Sequence, residues 1–229
     1  MNIHDLPSSA DIEFYHESGY WLSPQLFNDE EVKSLREHHR RVVAGEYETA
    51  RPPLSRDPEP GDTSRLVQVN NAYWTDATVA TLVLNPTIGK IAARLAGASG
   101  IRLWHDQLLF KPPQSGQAGN IGWHQDLGYW QCIDTDKAIT AWVALDTVDR
   151  ENGCMEVVSG SHRWGLLRED NFYQQNIEEQ IKRIEEKTGR QFATVSCELP
   201  AGCVSFHNCL TIHGHALWSI EILMYSQKY

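Results

Sequence analysis

His124 and Asp126 stand two residues apart in the stretch GNIGWHQDLGYW, and His207, His213 and His215 follow in SFHNCLTIHGHA. Side chains two apart on an extended segment share a face, so one imidazole and one carboxylate could reach the same ion. With a distant second histidine they make a two-histidine, one-carboxylate triad. That set leaves about three metal positions open and suits the chemistry of non-haem Fe(II) oxygenases. The competing reading of His-x-Asp is a hydrogen-bonded couple with no metal. Among the late histidines, His207, His213 and His215 share one strand parity. On a straight strand at about 3.3 Å per residue, His207 lies roughly 20 Å from His213 and is too far away to share an ion. His215 is close enough to His213 to serve as its hydrogen-bond partner or as an alternative ligand. His105 and His162 read as structural, the latter in a Gly-Ser-His turn, and the run His38 to Arg41 reads as a solvated helix face.

The elements that must position these residues change character along the chain. ADIEFYHESGYWL reads as a short helix closed by Gly19, then a brief strand at Tyr20 to Leu22. FNDEEVKSLREHHRRVVAG is a stronger helix, with Asn28 as N-cap, Glu31 completing a capping box, and Phe27 able to staple against Val32. ETARPPLSRDPEPGDTS reads as a surface loop, long enough to be a lid or a substrate loop. A helix follows in NPTIGKIAARLAG, with Pro86 in its first turn. From Ile101 onward IRLWHDQLLFKPP, AITAWVALDTVD, NGCMEVVSGSH, FATVSCELPAGCVSFHNCLTIHG and IEILMYS read as strands between Gly or Pro turns. NFYQQNIEEQIKRIEEKTGRQ is charged at helical spacing and reads as a surface helix inserted among them. The expectation is one α+β domain over residues 1–229, helical over 1–98, with a mainly β barrel or sandwich core over 101–229 and a helical insertion at about 170–190.

Composition excludes several classes. The 229 residues carry 20 Lys and Arg against 30 Asp and Glu, a formal charge of −10, which argues against nucleic acid as a partner. No apolar run approaches the ~18 residues that would span a bilayer, so no membrane insertion is expected. The N-terminal segment lacks the order of a secretory signal. Five cysteines without a CxxC pair read as reduced thiols of a cytoplasmic protein, and a Cys203–Cys209 disulfide is the minor alternative.

The sequence also resembles the phytanoyl-CoA dioxygenase family. The resemblance rests on QLLFKPP, GWHQDLGYW, a Trp eighteen residues after His124, the NGC and GSH segment, and the late LTIHG, and the opening HESGYWLSPQLFNDEEVKSL is similar as well. It implies a double-stranded β-helix, or jelly roll, with N-terminal helices packed on it. It also implies Fe(II) held by His124, Asp126 and His213, with 2-oxoglutarate and O2 as cosubstrates. Gln107 and Trp142 match cosubstrate contacts, while Lys111, Thr140 and His215 are further candidates to line that pocket. The implied reaction hydroxylates an aliphatic carbon of a small organic molecule as 2-oxoglutarate is decarboxylated to succinate and CO2. Related halogenases lack the carboxylate, so its retention as Asp126 favours hydroxylation. Tyr129, Trp130, Tyr73 and Trp74 suggest an apolar substrate wall.

One part of the family pattern is missing. Family members follow the distal histidine with a Ser, and about eleven residues later with an Arg that grips the far carboxylate of 2-oxoglutarate. Here His215 and Met224 hold those positions, and no Arg follows Arg190. Three explanations stand: an altered tail, another cation (Lys228, Arg65, Arg102 or Lys111), or a jelly-roll protein that binds metal or a small ligand without 2-oxoglutarate turnover. A cupin-like metalloenzyme that uses no oxo acid is a further alternative.

Overall fold

The computed structural model describes residues 6–62, 64–112, 122–130, 132, 135–168, 176–214 and 219–226. Its first helix, α1 (Ser9–Ser18), ends on Gly19 at φ +81°, and β1 (Tyr20–Leu22) begins immediately after. A Cβ at Gly19 would lie 2.4 Å from the His162 ring and 2.6 Å from Thr211 Oγ1, so this turn requires glycine twice over. In α2 (Asp29–Val43), Asn28 accepts from the Glu30 and Glu31 amides while Glu31 accepts from the Asn28 amide. Phe27 and Val32, flanking this cap, are both buried.

The long Pro-rich segment is more than a loop. It contributes the edge strand β2 (Ser55–Asp57), which pairs with β3 (Val67–Asn70), so two strands fall in the region expected to be helical. Their few residues and the flanking prolines hid them from a periodicity reading. A 3-10 turn (Ala72–Trp74), α3 (Ala77–Val83) and α4 (Pro86–Leu95) follow, with Asp76 and Asn85 as N-caps. The remaining elements are β4 (Ile101–Phe110), a one-turn helix α5 (Asp126–Tyr129), β5 (Ile139–Ala144), β6 (Glu156–Val158), α6 (Ile177–Thr188), β7 (Thr194–Ser196), β8 (Val204–Asn208), β9 (His213–Gly214) and β10 (Ser219–Ser226).

The strands form two antiparallel sheets, one ordered β1-β8-β5-β10-β4-β3-β2 and the other β7-β6-β9. Alternation along each strand divides the core. Ile139, Ala141 and Val143 of β5 join Leu108, Phe206 and Met224 under the helices, against Leu35, Leu82, Ile91 and Leu95. Trp142 and Ala144 face the other way and pack with Leu109, Val148, Leu199 and Cys203. Full burial of each large apolar side chain stabilises the fold by roughly 1.5–3 kcal/mol, so both layers are needed. The α+β jelly-roll expectation therefore holds, with the helices on one face of the larger sheet.

Two local expectations change. The His38 to Arg41 run is not uniformly solvated: His39 is fully buried, with Nε2 3.2 Å from the Leu109 carbonyl, and His38 Nδ1 lies 2.7 Å from Asp76 Oδ2. Nor is α6 merely a surface helix, because Gln180 and Ile184 are buried and Ile184 packs with Trp123, Val158 and Ile212. No described cysteine is in a disulfide; Cys154, Cys197, Cys203 and Cys209 are buried thiols and Cys132 is exposed. No helix among the described residues is long and apolar enough to cross a membrane.

Buried His39 carries a stability consequence. Desolvation lowers its pKa to about 4, from 6.5 for an exposed imidazole. A folded-state pKa below the unfolded one stabilises the fold above pH 6.5, and that contribution is lost as pH falls toward 4. Urea unfolding at pH 7 and pH 5 is expected to show wild type losing more stability than His39→Gln, with the His39 contribution limited to roughly 3 kcal/mol. Equal losses in the two proteins would show that His39 does not titrate in this way.

Candidate metal centre

The segment that carries His124 is tied by backbone to the smaller sheet at His213 of β9. The His124 amide donates to the His213 carbonyl at 2.9 Å, and the His213 amide donates back to the His124 carbonyl at 3.0 Å. After this bridge the chain does not stay extended. Gln125 keeps β geometry, but Asp126 opens α5, so the carboxylate reaches the site from the first position of a helical turn. The shared-face argument for an extended strand therefore gave a correct meeting by a different route.

Each imidazole is fixed by a carbonyl two residues before it. His124 Nδ1 lies 2.9 Å from the Gly122 carbonyl, and His213 Nδ1 lies 2.9 Å from the Thr211 carbonyl. A carbonyl can only accept, so both Nδ1 atoms carry the proton and each Nε2 is the ring nitrogen that keeps its lone pair. Those Nε2 atoms stand 3.6 and 3.4 Å from Asp126 Oδ1. The separations are long for direct hydrogen bonds but close to the roughly 3 Å expected between neighbouring ligands about 2.1 Å from one ion. The three side chains are buried and form a group whose ligand atoms all lie within 4.8 Å of one another.

The second carboxylate oxygen is engaged elsewhere. Asp126 Oδ2 accepts from Thr140 Oγ1 at 2.5 Å and lies 3.2 Å from His207 Nε2. Oδ1 faces His124 and His213, so a metal held there would meet the carboxylate through one oxygen. Burial by itself would raise the Asp126 pKa. The surrounding imidazoles of His213, His124 and His207 outweigh burial, so the carboxyl is held well below its usual range. Burial, with His213 adding to it, lowers the His124 pKa and favours the neutral ring a metal needs.

His207 is thus far closer than a straight strand allows. Its ring centroid is 4.2 Å from that of His213, because the chain turns between β8 and β9. The Gly19 carbonyl holds that turn, accepting from the Asn208 amide at 2.9 Å and from Thr211 Oγ1 at 2.7 Å. His207 still is not a fourth ligand, since its Nε2 faces Asp126 Oδ2. Groups that orient a ligand in this way typically cost 10–100-fold in metal affinity when removed. We expect His207→Ala to weaken Fe(II) binding by that factor without abolishing it, as read by metal titration. Unchanged affinity would show that Thr140 suffices to hold the carboxylate.

The cosubstrate candidates separate. Trp142 is fully buried, and its Nε1 has no partner among the described residues, which is the condition of a donor awaiting a ligand. Gln107 lies on β4 with its Cα opposite Asn70 and Glu221, while Trp142 lies opposite Glu221 and Ser205. Thr140 Oγ1 donates to the Asp126 carboxylate. Lys111 follows β4, and burial lowers its ammonium pKa. His215 and Lys228 lie outside the described residues. Arg65 is engaged with both carboxylate oxygens of Asp57 in an exposed pair.

Met224 does not line the site. Its Cα pairs with Ile139 and Leu103, and its buried side chain joins the core under the helices. The β10 positions opposite Thr140 and Trp142 are Leu223 and Glu221. Counting eleven residues from His213 therefore lands on the wrong face of the strand. Tyr73 and Trp74 lie in the 3-10 turn that precedes α3. Asp106 caps amides of that turn, and the Arg51 guanidinium stacks 3.8 Å over Trp74.

Sequence reasoning missed two glutamines that hold the site rigid. Gln125 donates to the Gly165 and Leu210 carbonyls at 2.9 and 2.8 Å and accepts from the Leu167 amide at 2.8 Å. Gln180 of α6 accepts from the Trp123 amide at 3.0 Å and donates to its carbonyl at 2.5 Å. The position of Gln125 between two candidate ligands was the available signal; nothing local marked Gln180.

A jelly roll with two imidazoles and one carboxylate converging between its sheets defines the class of facial-triad metalloproteins. Residues 15–215 match the family model described as Phytanoyl-CoA dioxygenase (PhyH), and the chain belongs to that family. A peroxisomal phytanoyl-CoA dioxygenase of Bos taurus is 27% identical over 164 residues, covering 69% of this chain and 48% of the relative. The chain thus spans about half the length of the first curated relatives it matches. Among solved structures, the non-heme alpha ketoglutarate dependent carbocyclase SnoK from nogalamycin biosynthesis superposes with a TM-score of 0.75 at 24% identity, covering 96% of this chain and 84% of that one. EctD from S. alaskensis, with 2-oxoglutarate and 5-hydroxyectoine, gives 0.73 at 18% identity, covering 99% and 79%.

Proposed function

We propose that this protein is an Fe(II)/2-oxoglutarate-dependent dioxygenase that hydroxylates an aliphatic carbon of a small organic substrate. The observation that carries the reading is the convergence of two imidazole Nε2 atoms on Asp126 Oδ1 at 3.6 and 3.4 Å, each ring set by a carbonyl at its Nδ1. His124, Asp126 and His213 would hold Fe(II). When bound, iron would let O2 act as the oxidant, one oxygen atom passing to 2-oxoglutarate as it is decarboxylated to succinate and CO2 and the other to the substrate C–H bond. The chain's own contribution is positional. Thr140 and His207 keep Asp126 on one oxygen, which preserves open metal positions for the cosubstrate. Trp142 Nε1 offers a buried donor to an oxo acid, and Lys111 is the partly buried cation at the end of β4. The family relationship and the 2-oxoglutarate named with a structural neighbour support the same cosubstrate.

A second reading follows from the last strand. Residues 219–226 include neither Arg nor Lys, which favours metal binding without efficient 2-oxoglutarate use. Titrating 2-oxoglutarate into the anaerobic Fe(II)-loaded protein distinguishes the two. A saturating visible charge-transfer band and stoichiometric succinate after O2 addition are expected for the dioxygenase. Bound iron with no band would establish the second reading.

A further inference from the structure

We propose that a bulge in β4 builds a substrate subsite beside the metal residues, an aromatic wall of Trp104, Tyr129 and Trp130 with His105 as its hydrogen-bonding point. The ligand it fits is a neutral molecule with a flat, largely apolar ring that bears a hydroxyl or carbonyl oxygen. The inference deepens the proposed function and rests on it for the role of the subsite, though not for its existence.

The register between β10 and β4 shifts at one place. Leu223 pairs with His105 and Met224 with Leu103, so Trp104 has no opposite residue. A bulge of this kind re-aims side chains and recurs beside active sites. Here it gathers Trp104, His105 and Trp130 into one aromatic group. Trp104 and Trp130 meet edge to face at 5.4 Å, Trp104 and His105 lie 4.8 Å apart, and His105 and Trp130 are 6.1 Å apart. Tyr129 continues the wall to the metal centre, its ring 5.9 Å from that of His124. Trp104 and Tyr129 are 36% and 48% exposed, which core packing does not explain for rings of this size beside a buried site.

His105 supplies the polar element. Its Nε2 is buried and has no partner among the described residues. Such an atom is costly to leave unsatisfied, and a neutral imidazole can either donate to or accept from a hydroxyl. Burial lowers the His105 pKa to about 4, against the opposing pull of Asp126, so the ring is neutral at physiological pH. None of the four side chains is cationic, which disfavours an anionic ligand at this position. Aromatic faces and edges instead favour a flat ring of the ligand.

Equilibrium dialysis of the metal-free full chain against 2-naphthol, naphthalene and 2-naphthoate tests this directly. One saturable 2-naphthol per chain is expected, with 2-naphthoate weaker. His105→Leu should weaken 2-naphthol about five- to ten-fold while leaving naphthalene unchanged, and His105→Gln should restore the difference between them. Trp104→Ala should weaken both neutral ligands about ten-fold, and Trp104→Phe should recover most of the loss. No saturable 2-naphthol binding, or equal affinities in wild type, His105→Leu and Trp104→Ala, overturns the inference. Because metal is absent, a chain that holds naphthol but fails the iron titration sinks the proposed dioxygenase and leaves the subsite standing. The reverse pattern sinks the subsite alone.

Discussion

Asp126→Ala is expected to lower Fe(II) affinity by more than about 100-fold, beyond the range typical for loss of a supporting hydrogen bond. The substitution removes Oδ1, the atom that both Nε2 lone pairs face, and leaves two imidazoles as the whole donor set. It also strands Thr140 Oγ1 and His207 Nε2, two buried groups that share Oδ2. Each abandoned polar group costs about 1–3 kcal/mol, so the variant should also melt earlier without metal. Asp126→Asn makes the useful comparison, because its amide oxygen can still accept from Thr140 while the charge is gone. Iron counted per chain after dialysis is expected to fall to background in Asp126→Ala. Stoichiometric iron in that variant would mean that the metal site lies elsewhere.

Met224→Arg is expected to be the other severe substitution, and its failure is instructive. The family pattern suggests that restoring Arg eleven residues after His213 would restore a cosubstrate clamp. The register places position 224 opposite Ile139, in the layer under the helices, where Met224 is 5% exposed. A guanidinium there would enter the apolar cluster that includes Ile91, Leu108 and Phe206. We expect a loss of more than about 3 kcal/mol in urea unfolding and no gain in 2-oxoglutarate affinity. Tighter 2-oxoglutarate binding in a stable Met224→Arg protein would show that β10 presents its other face to the site.

These two positions also mark where the sequence was readable and where it was not. Capping residues and glycine stops placed α1, α2 and α4 to within a residue or two, because their signals are local. The strands from Ile101 onward announced themselves by aromatic and β-branched runs. The three candidate ligands followed from residue type and family resemblance, and the structure brings them together. What escaped was anything decided by the return path of the chain. His207 meets Asp126 only because the chain turns after Asn208, and the face on which Met224 packs depends on the pairing of β10 with β5. The cradle of Gln125 and Gln180 depends on partners 40 to 85 residues away. Short strands such as β2 and β3 were lost among prolines and polar residues, too brief for periodicity to register.

The reciprocal amide-carbonyl pair between His124 and His213 gives the protein an assembly order. These residues are roughly 90 positions apart, and closing a chain segment of that length costs about 4 kcal/mol of loop entropy. Because backbone bonds and the surrounding sheets close it, an arriving ion does not have to. Folding should therefore precede metallation, and a chelator should yield an intact, reloadable apoprotein. If the site binds iron as proposed, its affinity would report the donor set without a folding penalty subtracted from it.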